Sequence, residues 1–423
     1  MYIRKRSQRS EVRSKKPEVR NQKFRNTDGA GFFNLTSNIR NPKPCHLQSP
    51  SERLFELTLK ENIPLLATIE LTRSCPLSCS HCYLPETRGR APAASSPEMG
   101  TAAWKKVLED LAASGCMNLV FTGGEPLLRA DIAGLCSYAK ELDFDVRIFT
   151  SGHGLTYRLA RELASSGVSC AEISVYGRKE IHDAITGSPG AFEVALASAC
   201  RLNRLGMRVK LKTPLMKDNA GEADFIFRLA EENGFGCSFD AVIAPGNDGD
   251  KKNLGHRLEG AGLEKVLADE RLSAPILSAT SPLKGEGKGE GFNPDAPLCG
   301  AGRNVCGISP YGNVFPCLQI PLAAGNLREK SFRDIWNYSP ELLKMRGMRF
   351  TDLEECPSCA LKEVCDRCPG LALLEDGNIN GPSKAACETA AIRWEQFKQS
   401  KQHRQNKHRR AAKKRLCADA MIC

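Results

Sequence analysis

Three cysteines stand close together in the segment LTRSCPLSCSHCYL, at Cys75, Cys79 and Cys82. Their spacing is C-x3-C-x2-C, and they follow an apolar run over residues 65–71 that predicts a buried strand. Closely spaced thiolates suit soft metals, above all an iron–sulfur cluster. Three ligands leave one iron of a four-iron cluster without a protein ligand, and such an open coordination position is what a metal needs to bind a further molecule.

A structural zinc site and incidental buried cysteines both remain compatible with this spacing taken alone. Zinc in structural sites takes four ligands. The nearby candidate for a fourth is His81, which is crowded against Cys82. The softness of the ligands and the count of three favour an iron–sulfur site over zinc.

The cysteine content of the whole chain supports a metal or redox function. The 423 residues include 19 cysteines. The basic N-terminus has no apolar run behind it, which excludes a secretory signal peptide, and no stretch approaches the ~20 apolar residues of a membrane span. We therefore expect a cytoplasmic protein without membrane contact, in which thiols stay reduced and disulfides do not account for the cysteines.

The positive charge of the chain lies in its two ends. The net charge is +11, and ten Lys or Arg against two Glu give residues 1–25 a charge of +8. Nine Lys or Arg against one Asp give residues 398–423 the same charge, so the remainder is acidic. An RNA-binding module whose cysteines hold zinc is the alternative from another class. The absence of a folded basic face and an aromatic content of 6% argue against nucleic acid as a partner.

Short apolar runs alternate with longer helical patterns between residues 64 and 245. This alternation predicts parallel strands joined by crossover helices, with the site at the carboxyl ends of the strands. A partial barrel and a doubly wound sheet both satisfy the pattern. We expect strands over 65–71, 118–121, 146–149, 170–175, 209–211 and 239–243, and helices over 97–114, 132–142, 155–166, 191–205 and 223–232.

Composition divides the chain into five parts. A Gly- and Lys-rich segment includes the low-complexity stretch KGEGKGEG and predicts a linker with one short helix over 263–270. The cysteine-rich region after it has few long apolar runs. It therefore needs cross-links or bound metal to stabilise it in place of a large core. The predicted parts are a largely disordered basic extension over 1–60 with a short helix near 52–60, a core over 61–245, the linker over 246–296, a cluster-binding domain over 297–390 and a basic tail over 391–423.

The C-x3-C-x2-C spacing, with the aromatic residue Tyr83 after the last cysteine, resembles the signature of the radical SAM enzymes. The resemblance implies an α/β fold with a partial (β/α)6 TIM-like barrel, and so chooses between the two folds that periodicity leaves open. It implies a 4Fe-4S cluster bound with S-adenosylmethionine (SAM). The enzyme would cleave SAM reductively to a 5′-deoxyadenosyl radical that removes hydrogen from a substrate. A flavodoxin- or ferredoxin-type donor would supply the electron.

A second motif, NLVFTGGEPLL, supports the same family. Gly123 and Gly124 let the backbone approach a ligand closely, and Glu125 offers a carboxylate. Taken alone, the segment fits a simple turn at the end of a strand better than a binding site. Together with the cysteines it resembles the GGE motif of the family, which implies contact with the methionine ammonium of SAM.

The resemblance also implies contacts at the ends of later strands. The segments FTSG and ISVYG look like further cofactor contacts of the family. On this basis Ser174 is the candidate on the ribose side and Lys212 the candidate for the SAM carboxylate, with Tyr83 a third candidate contact. Each of these side chains could equally be an ordinary polar residue.

Eight further cysteines lie between residues 299 and 387. Four of them form C-x2-C-x5-C-x2-C, whereas the two pairs of a zinc ribbon usually stand ~15–20 residues apart. Eight thiolates match two four-iron clusters with four ligands each. The cysteines are Cys299, Cys306, Cys317, Cys356, Cys359, Cys365, Cys368 and Cys387.

This region is similar to the SPASM extension of radical SAM enzymes, and Cys299-x12-Gly312-x4-Cys317 fits the opening of that motif. The departure is the last C-x2-C pair, where three intervening residues are more usual. The resemblance implies two auxiliary 4Fe-4S clusters with interlaced ligands. One would be held by Cys299, Cys306, Cys317 and Cys368, and the other by Cys356, Cys359, Cys365 and Cys387.

The family resemblance is less specific for the substrate. Enzymes with SPASM extensions mostly modify ribosomal peptides or a protein side chain, with haem- and quinone-pathway members as exceptions. The loop with His182 and Asp183 looks like that of peptide-modifying members, although local hydrogen bonds account for both residues equally well. Leu318 stands where sulfatase-maturing relatives carry an acidic residue, which argues against that activity. We expect a peptide or protein substrate, with a small-molecule cofactor pathway as the alternative.

Overall fold

The computed structural model describes residues 50–84, 97–273 and 293–399. Nine strands within these ranges form one sheet. They are β1 (Leu66–Glu70), β2 (Asn118–Thr122), β3 (Asp145–Thr150), β4 (Cys170–Ser174), β5 (Arg208–Pro214), β6 (Gly236–Asp240), β7 (Val305–Ile308), β8 (Asn313–Phe315) and β9 (Gly325–Asn326). Their order across the sheet is β6-β5-β4-β3-β2-β1-β7-β8-β9, and β1 to β6 pair in parallel.

Helices follow the strands in alternation, and this arrangement confirms the partial (β/α)6 barrel. The helices are α1 (Pro50–Glu61), α2 (Thr101–Ala113), α3 (Ile132–Glu141), α4 (Tyr157–Ser165), α5 (Lys179–Thr186), α6 (Ala191–Arg204), α7 (Ala223–Asn233), α8 (Gly260–Ala268), α9 (Glu270–Ser273), α10 (Phe332–Tyr338), α11 (Pro340–Gly347) and α12 (Pro369–Asp376). A further helix over 384–399 reaches the end of the described residues. The short helix α5 has no counterpart in the helices expected from the sequence.

The barrel strands have an apolar face toward the helices and a polar face toward the barrel interior. Ile69, Ile148 and Leu211 are buried in the core that packs against the helices. Because side chains alternate along a strand, neighbouring polar residues such as Glu172 and Lys212 face the barrel interior. This alternation lets one sheet supply both a continuous apolar core and a polar interior.

The sixth strand begins earlier than the sequence predicted. The apolar run over 239–243 suggested a strand there, but β6 ends at Asp240. Ala241 and Ile243 lie beyond the strand and are buried in two separate apolar clusters. An apolar run marks burial, and here that burial is against loops and helices outside the sheet.

The cysteine-rich region continues the barrel sheet. Strand β7 pairs in parallel with β1, with Ala67 opposite Cys306, and β8 and β9 follow in antiparallel order. The sequence predicted a compact second region and did not indicate this shared sheet. Pairing with β7 covers an edge of β1 whose backbone groups would otherwise lack partners.

The segment expected to be a linker over 246–296 is folded in its first half, where α8 corresponds to the short helix expected over 263–270. Residues 252–256 form a short 3-10 helix before it, and α9 follows. Leu258, Leu263 and Val266 are buried with Leu215 and other apolar residues in one cluster. The stretch KGEGKGEG lies outside the described residues.

The prediction of a tail from residue 391 is also wrong at its start, since residues 391–399 are helical. Arg393 forms a salt bridge with Asp366, and Ile392 packs against the cluster that holds α8. These contacts with other segments order the start of the predicted tail. Residues 1–49 and 400–423 lie outside the described residues. No helix within the described ranges is long and apolar enough to cross a membrane.

Candidate functional site: a cysteine loop and two cysteine groups

Cys75, Cys79 and Cys82 lie on the loop after β1, at the carboxyl end of the barrel. All three are half-buried free thiols. Burial raises the pKa of Cys75 to about 11 and that of Cys79 to about 12, and the neighbouring thiols of the motif add to both shifts. Three such thiols repel one another once ionised, and binding to a metal deprotonates a thiol outright. The loop is therefore suited to a cationic metal group.

Two glycines hold this loop against the end of β2. The Gly124 amide donates to the Thr72 carbonyl at 2.7 Å, and the Glu125 amide donates to the Ser74 carbonyl at 2.8 Å. A Cβ on Gly123 would lie 2.4 Å from the Thr72 oxygen, and one on Gly124 would lie 2.3 Å from the Ser74 oxygen. The two backbones approach so closely that no other residue fits at either position.

Two further segments support the loop, and neither was connected with it from the sequence. The amide of Ser78 donates to the carbonyl of Thr186 at the end of α5, at 3.0 Å. The amide of Asn247 donates to the carbonyl of Tyr83 at 2.9 Å. The Asn253 side chain donates to the carbonyl of His81 at 3.5 Å. The segment expected to be a linker thus covers part of the cysteine loop.

Glu125 is fully buried and already surrounded by donors. Thr150 Oγ1 donates to Oε1 at 2.6 Å, the Leu127 amide donates to Oε1 at 3.0 Å and the Ser151 amide donates to Oε2 at 2.7 Å. This arrangement joins the loop after β2 to the end of β3. The carboxylate is therefore committed to positioning these loops, and a contact between Glu125 and SAM stays a prediction.

Tyr83 also has a partner inside the protein. Its hydroxyl donates to Glu70 Oε1 at 3.0 Å, and Arg73 Nη2 lies 3.2 Å from Glu70 Oε2. Burial raises the pKa of Glu70, while the charge of Arg73 opposes that shift. The three residues tie the cysteine loop to the last residue of β1.

Ser174 lies at the end of β4, two residues before the buried Tyr176. Burial raises the pKa of Tyr176, and Cys79 and Ser174 also act on it. A contact between Ser174 and SAM stays a prediction. The ring of His81 stands edge-on against Tyr176 with 4.8 Å between centroids, and burial lowers the pKa of His81 to about 4. His81 Nδ1 is buried without a partner in the described part of the chain. Sequence reasoning weighed His81 only as a zinc ligand and missed Tyr176.

His182 and Asp183 serve the local structure. The amide of Tyr176 donates to His182 Nδ1 at 3.1 Å, and the His182 ring stacks on that of Tyr176. Asp183 accepts from the amides of Gly190 and Phe192 at 2.8 and 2.9 Å. Both residues make the local contacts that the sequence left as one of two alternatives.

Lys212 lies in the barrel interior beside an acidic partner. Its Nζ is 3.5 Å from Glu172 Oε2 and 3.5 Å from the centroid of the Phe149 ring. Burial lowers the pKa of Lys212, and the charge of Glu172 opposes that shift. A contact between Lys212 and the SAM carboxylate stays a prediction.

The cysteines of the C-terminal region fall into two groups, which we define by the thiols that raise one another's pKa. We name Cys299, Cys317 and Cys368 the first auxiliary group. Burial raises the pKa of Cys299 to about 12, and Cys368 and Cys317 raise it further. The second auxiliary group is Cys356, Cys359, Cys365 and Cys387. Burial raises the pKa of Cys365 to about 12, and its three partners add to that shift.

Cys306 does not face the first auxiliary group. It lies in β7 and is fully buried in the barrel core. Burial raises its pKa, and Cys116 adds more to that shift than Cys317 does. A Cβ on the adjacent Gly307 would meet Leu318, the residue after Cys317, at 2.7 Å. Since consecutive side chains point to opposite faces of a strand, Cys306 points away from Leu318 and into the core. We therefore predict that Cys306 is not a cluster ligand, although the sequence had placed it among the ligands.

Replacing Cys306 with alanine should therefore leave the iron content at about twelve atoms per chain, the number for three four-iron clusters. Cys299→Ala is the matched variant, and it should lose up to about four of these atoms. Iron and sulfide are counted after anaerobic reconstitution. Equal losses of iron from both variants would restore Cys306 to the ligand set.

The donor sets fit iron–sulfur clusters. Among the described residues, no three His, Cys, Asp or Glu side chains converge closely enough to hold a single metal ion. The three cysteine groups nevertheless offer only soft thiol donors, which suit iron–sulfur clusters. When bound, the cluster of the loop with Cys75, Cys79 and Cys82 supplies the electron that cleaves SAM. The loop cysteines would hold that cluster, and the glycine contact orients their loop.

Comparison with known proteins agrees with this geometry. Residues 69–230 match the Radical SAM superfamily, and residues 299–369 match the SPASM iron-sulfur cluster-binding domain. The AdoMet-dependent heme synthase of Methanosarcina barkeri is 32% identical over 341 residues, which cover 75% of this chain and 94% of that protein. The PqqA peptide cyclase of Xanthomonas euvesicatoria is 27% identical over 351 residues, which cover 78% and 89%.

A solved structure shows the same fold. Streptococcus suis SuiB bound to its precursor peptide SuiA has a TM-score of 0.58 and 18% sequence identity, with 83% of this chain and 84% of that chain covered. The partial barrel, the cysteine loop and these relatives define an iron–sulfur enzyme that uses SAM. The chain belongs to the radical SAM superfamily and carries a C-terminal SPASM domain. This membership rejects the alternative of a zinc-containing RNA-binding module.

Proposed function

We propose that the enzyme abstracts hydrogen from a peptide or protein side chain and so acts in peptide maturation. The observation that carries the chemistry is the three-cysteine loop, held by Gly123 and Gly124 over the end of the barrel. Several PqqA peptide cyclases are 27–28% identical over 75–78% of this chain, which supports the substrate class. The auxiliary clusters would accept an electron from the substrate radical that hydrogen abstraction leaves, or they would bind the substrate.

Polar groups in the barrel interior are consistent with a substrate that carries charge. Glu172 is buried, and its carboxylate lies within 3.9 Å of Arg147 and 3.5 Å of Lys212. The side chains of Arg147 and Lys212 are 47% and 40% exposed, so both cations are open to the interior. We propose that these cations receive a carboxylate or a backbone carbonyl of the substrate.

A haem-related small molecule is the second candidate substrate. Three AdoMet-dependent heme synthases are 30–32% identical to this chain, and the alignments cover 87–94% of their lengths. This identity exceeds that of the peptide cyclases. The exposed cations of the interior suit the carboxylates of such a molecule as well as those of a peptide.

One experiment separates the two candidates. The full chain is reconstituted without oxygen and given SAM, dithionite and either the short peptides encoded beside its gene or a carboxylated tetrapyrrole. High-resolution mass spectrometry follows each substrate. A peptide that loses two hydrogens in step with 5′-deoxyadenosine supports maturation. Unaltered peptides together with a converted tetrapyrrole would overturn it in favour of the second candidate.

A further inference from the structure

Arg367 lies where the chain crosses from one auxiliary group to the other. It directly precedes Cys368 of the first group and follows Cys365 of the second group by two positions. A C-x2-C pair commonly holds one metal. In this fold the two cysteines of the pair have different electrostatic neighbours, since Cys365 is coupled to Cys387 whereas Cys299 is coupled to Cys368. The arginine between them is therefore positioned beside both sites.

The guanidinium of Arg367 is buried and held in one orientation. The residue is 8% exposed. Its Nε and Nη2 donate to the Gly381 carbonyl at 2.9 and 2.6 Å, and Nη2 also donates to the Ile379 carbonyl. The carboxylate next to it in the chain, Asp366, pairs with Arg393. Carbonyl oxygens bear no formal charge, so these bonds orient the cation without neutralising it.

One nitrogen of this group has no hydrogen-bond partner. Arg367 Nη1 is buried and makes no hydrogen bond among the described residues. A buried N–H without an acceptor destabilises a protein, and more so when the group is charged. Such a group indicates an acceptor of another kind beside it.

Cysteines of both groups lie near enough to Arg367 to act on its charge. Burial lowers the pKa of Arg367, and the groups that oppose this shift are Cys356 and Cys365 of the second group and Cys299 and Cys368 of the first. Burial raises the pKa of Cys356, while the charge of Arg367 acts in the opposite direction. Both cysteine groups therefore contribute to the electrostatic environment of this one cation.

We propose that Arg367 is a shared counter-charge that raises the reduction potentials of both auxiliary clusters. The inference rests on the two clusters that the SPASM domain implies. Reduction adds negative charge to a cluster, and a fixed cation stabilises the reduced form more strongly in a buried site than in water. Arg367 would thus keep both clusters ready to accept an electron, and its Nη1 would donate to a sulfur.

Redox titration monitored by electron paramagnetic resonance tests this role on the full chain. The variants are Arg367→Gln, which removes the charge, and Arg367→Lys, which keeps the charge but loses the planar set of donors. Arg328→Gln is the control, because Arg328 donates to the carbonyls of Tyr311 and Pro97. Iron and sulfide are counted in every sample, and the SAM-binding cluster is recognised by its change of signal on addition of SAM.

We expect R367Q to lower the potentials of both auxiliary clusters, with R367K in between, and both R328Q and the SAM-binding cluster unchanged. Potentials that stay at the wild-type values in R367Q with full iron content would overturn the proposal, and so would a shift confined to one cluster. If R367Q loses iron, the potentials of R367K are compared with those of the wild type in its place. Unchanged potentials in R367K would then overturn the proposal. A wild-type protein without auxiliary iron would instead refute the clusters on which the inference rests.

Discussion

Cys79→Ala is expected to abolish the formation of 5′-deoxyadenosine from SAM. Cys79 is one of three half-buried thiols on the loop after β1. Loss of one ligand from a cluster that has only three leaves two irons without protein ligands. Even outer partners of metal ligands are worth about 10–100-fold in activity or affinity, so we expect a fall of more than about 100-fold.

The measurement is anaerobic, with nucleoside quantified by chromatography and iron counted in the same sample. Cys200→Ala is the matched control. Cys200 lies on α6, and its sulfur contacts Asn233 Oδ1 at 3.7 Å, away from the loop. We expect this control to keep both its iron and its activity. Nucleoside formation by Cys79→Ala at the rate of the control would contradict the assignment of the cluster loop.

Gly124→Ala is expected to displace the cysteine loop without touching any cysteine. The added Cβ would lie 2.3 Å from the oxygen of Ser74 and 2.7 Å from that of Arg73, and both are backbone atoms. The loop can relieve this clash only by moving. Misplacement of reacting groups by about 1 Å lowers rates by about 100-fold. Overpacking of this kind also destabilises a protein by about 1–3 kcal/mol.

Gly134→Ala makes the same chemical change at a position where we expect the protein to become more stable. Gly134 lies within α3, and a Cβ there would have no atom within 4 Å. The substitution should stabilise the protein by about 0.5–1 kcal/mol, because glycine weakens a helix interior. Urea unfolding under nitrogen measures both changes, and nucleoside formation measures the first. Equal activity and stability in the two variants would show that the loop tolerates a side chain at Gly124.

Much of the site is local in sequence, and local patterns predicted it. The spacing of Cys75, Cys79 and Cys82 and the pair Gly123 and Gly124 need only short segments to be recognised. The alternation of apolar and helical runs predicted strands β1 to β5 to within a few residues, because burial on one face imposes a period on the sequence. These features therefore determined the family, the metal chemistry and the barrel.

What the sequence could not reveal depends on contacts between distant residues. Cys306 matched the spacing of a ligand, but its position in β7 turns the side chain into the core. Asn247 lies in a segment whose composition suggests a linker, yet its amide donates to Tyr83 beside the cysteine loop at 2.9 Å. Arg367 became informative only when the fold showed that its Nη1 is buried and makes no hydrogen bond among the described residues.

The division has a physical cause. The ligand types and the spacing that allow three thiols to hold one cluster are set along a few residues of chain, so the sequence alone determined the chemistry. The direction of each side chain is set by which strand, helix or loop packs against it. Only the tertiary structure decided that Cys306 turns into the core and that the guanidinium of Arg367 is buried, since both depend on contacts across the fold.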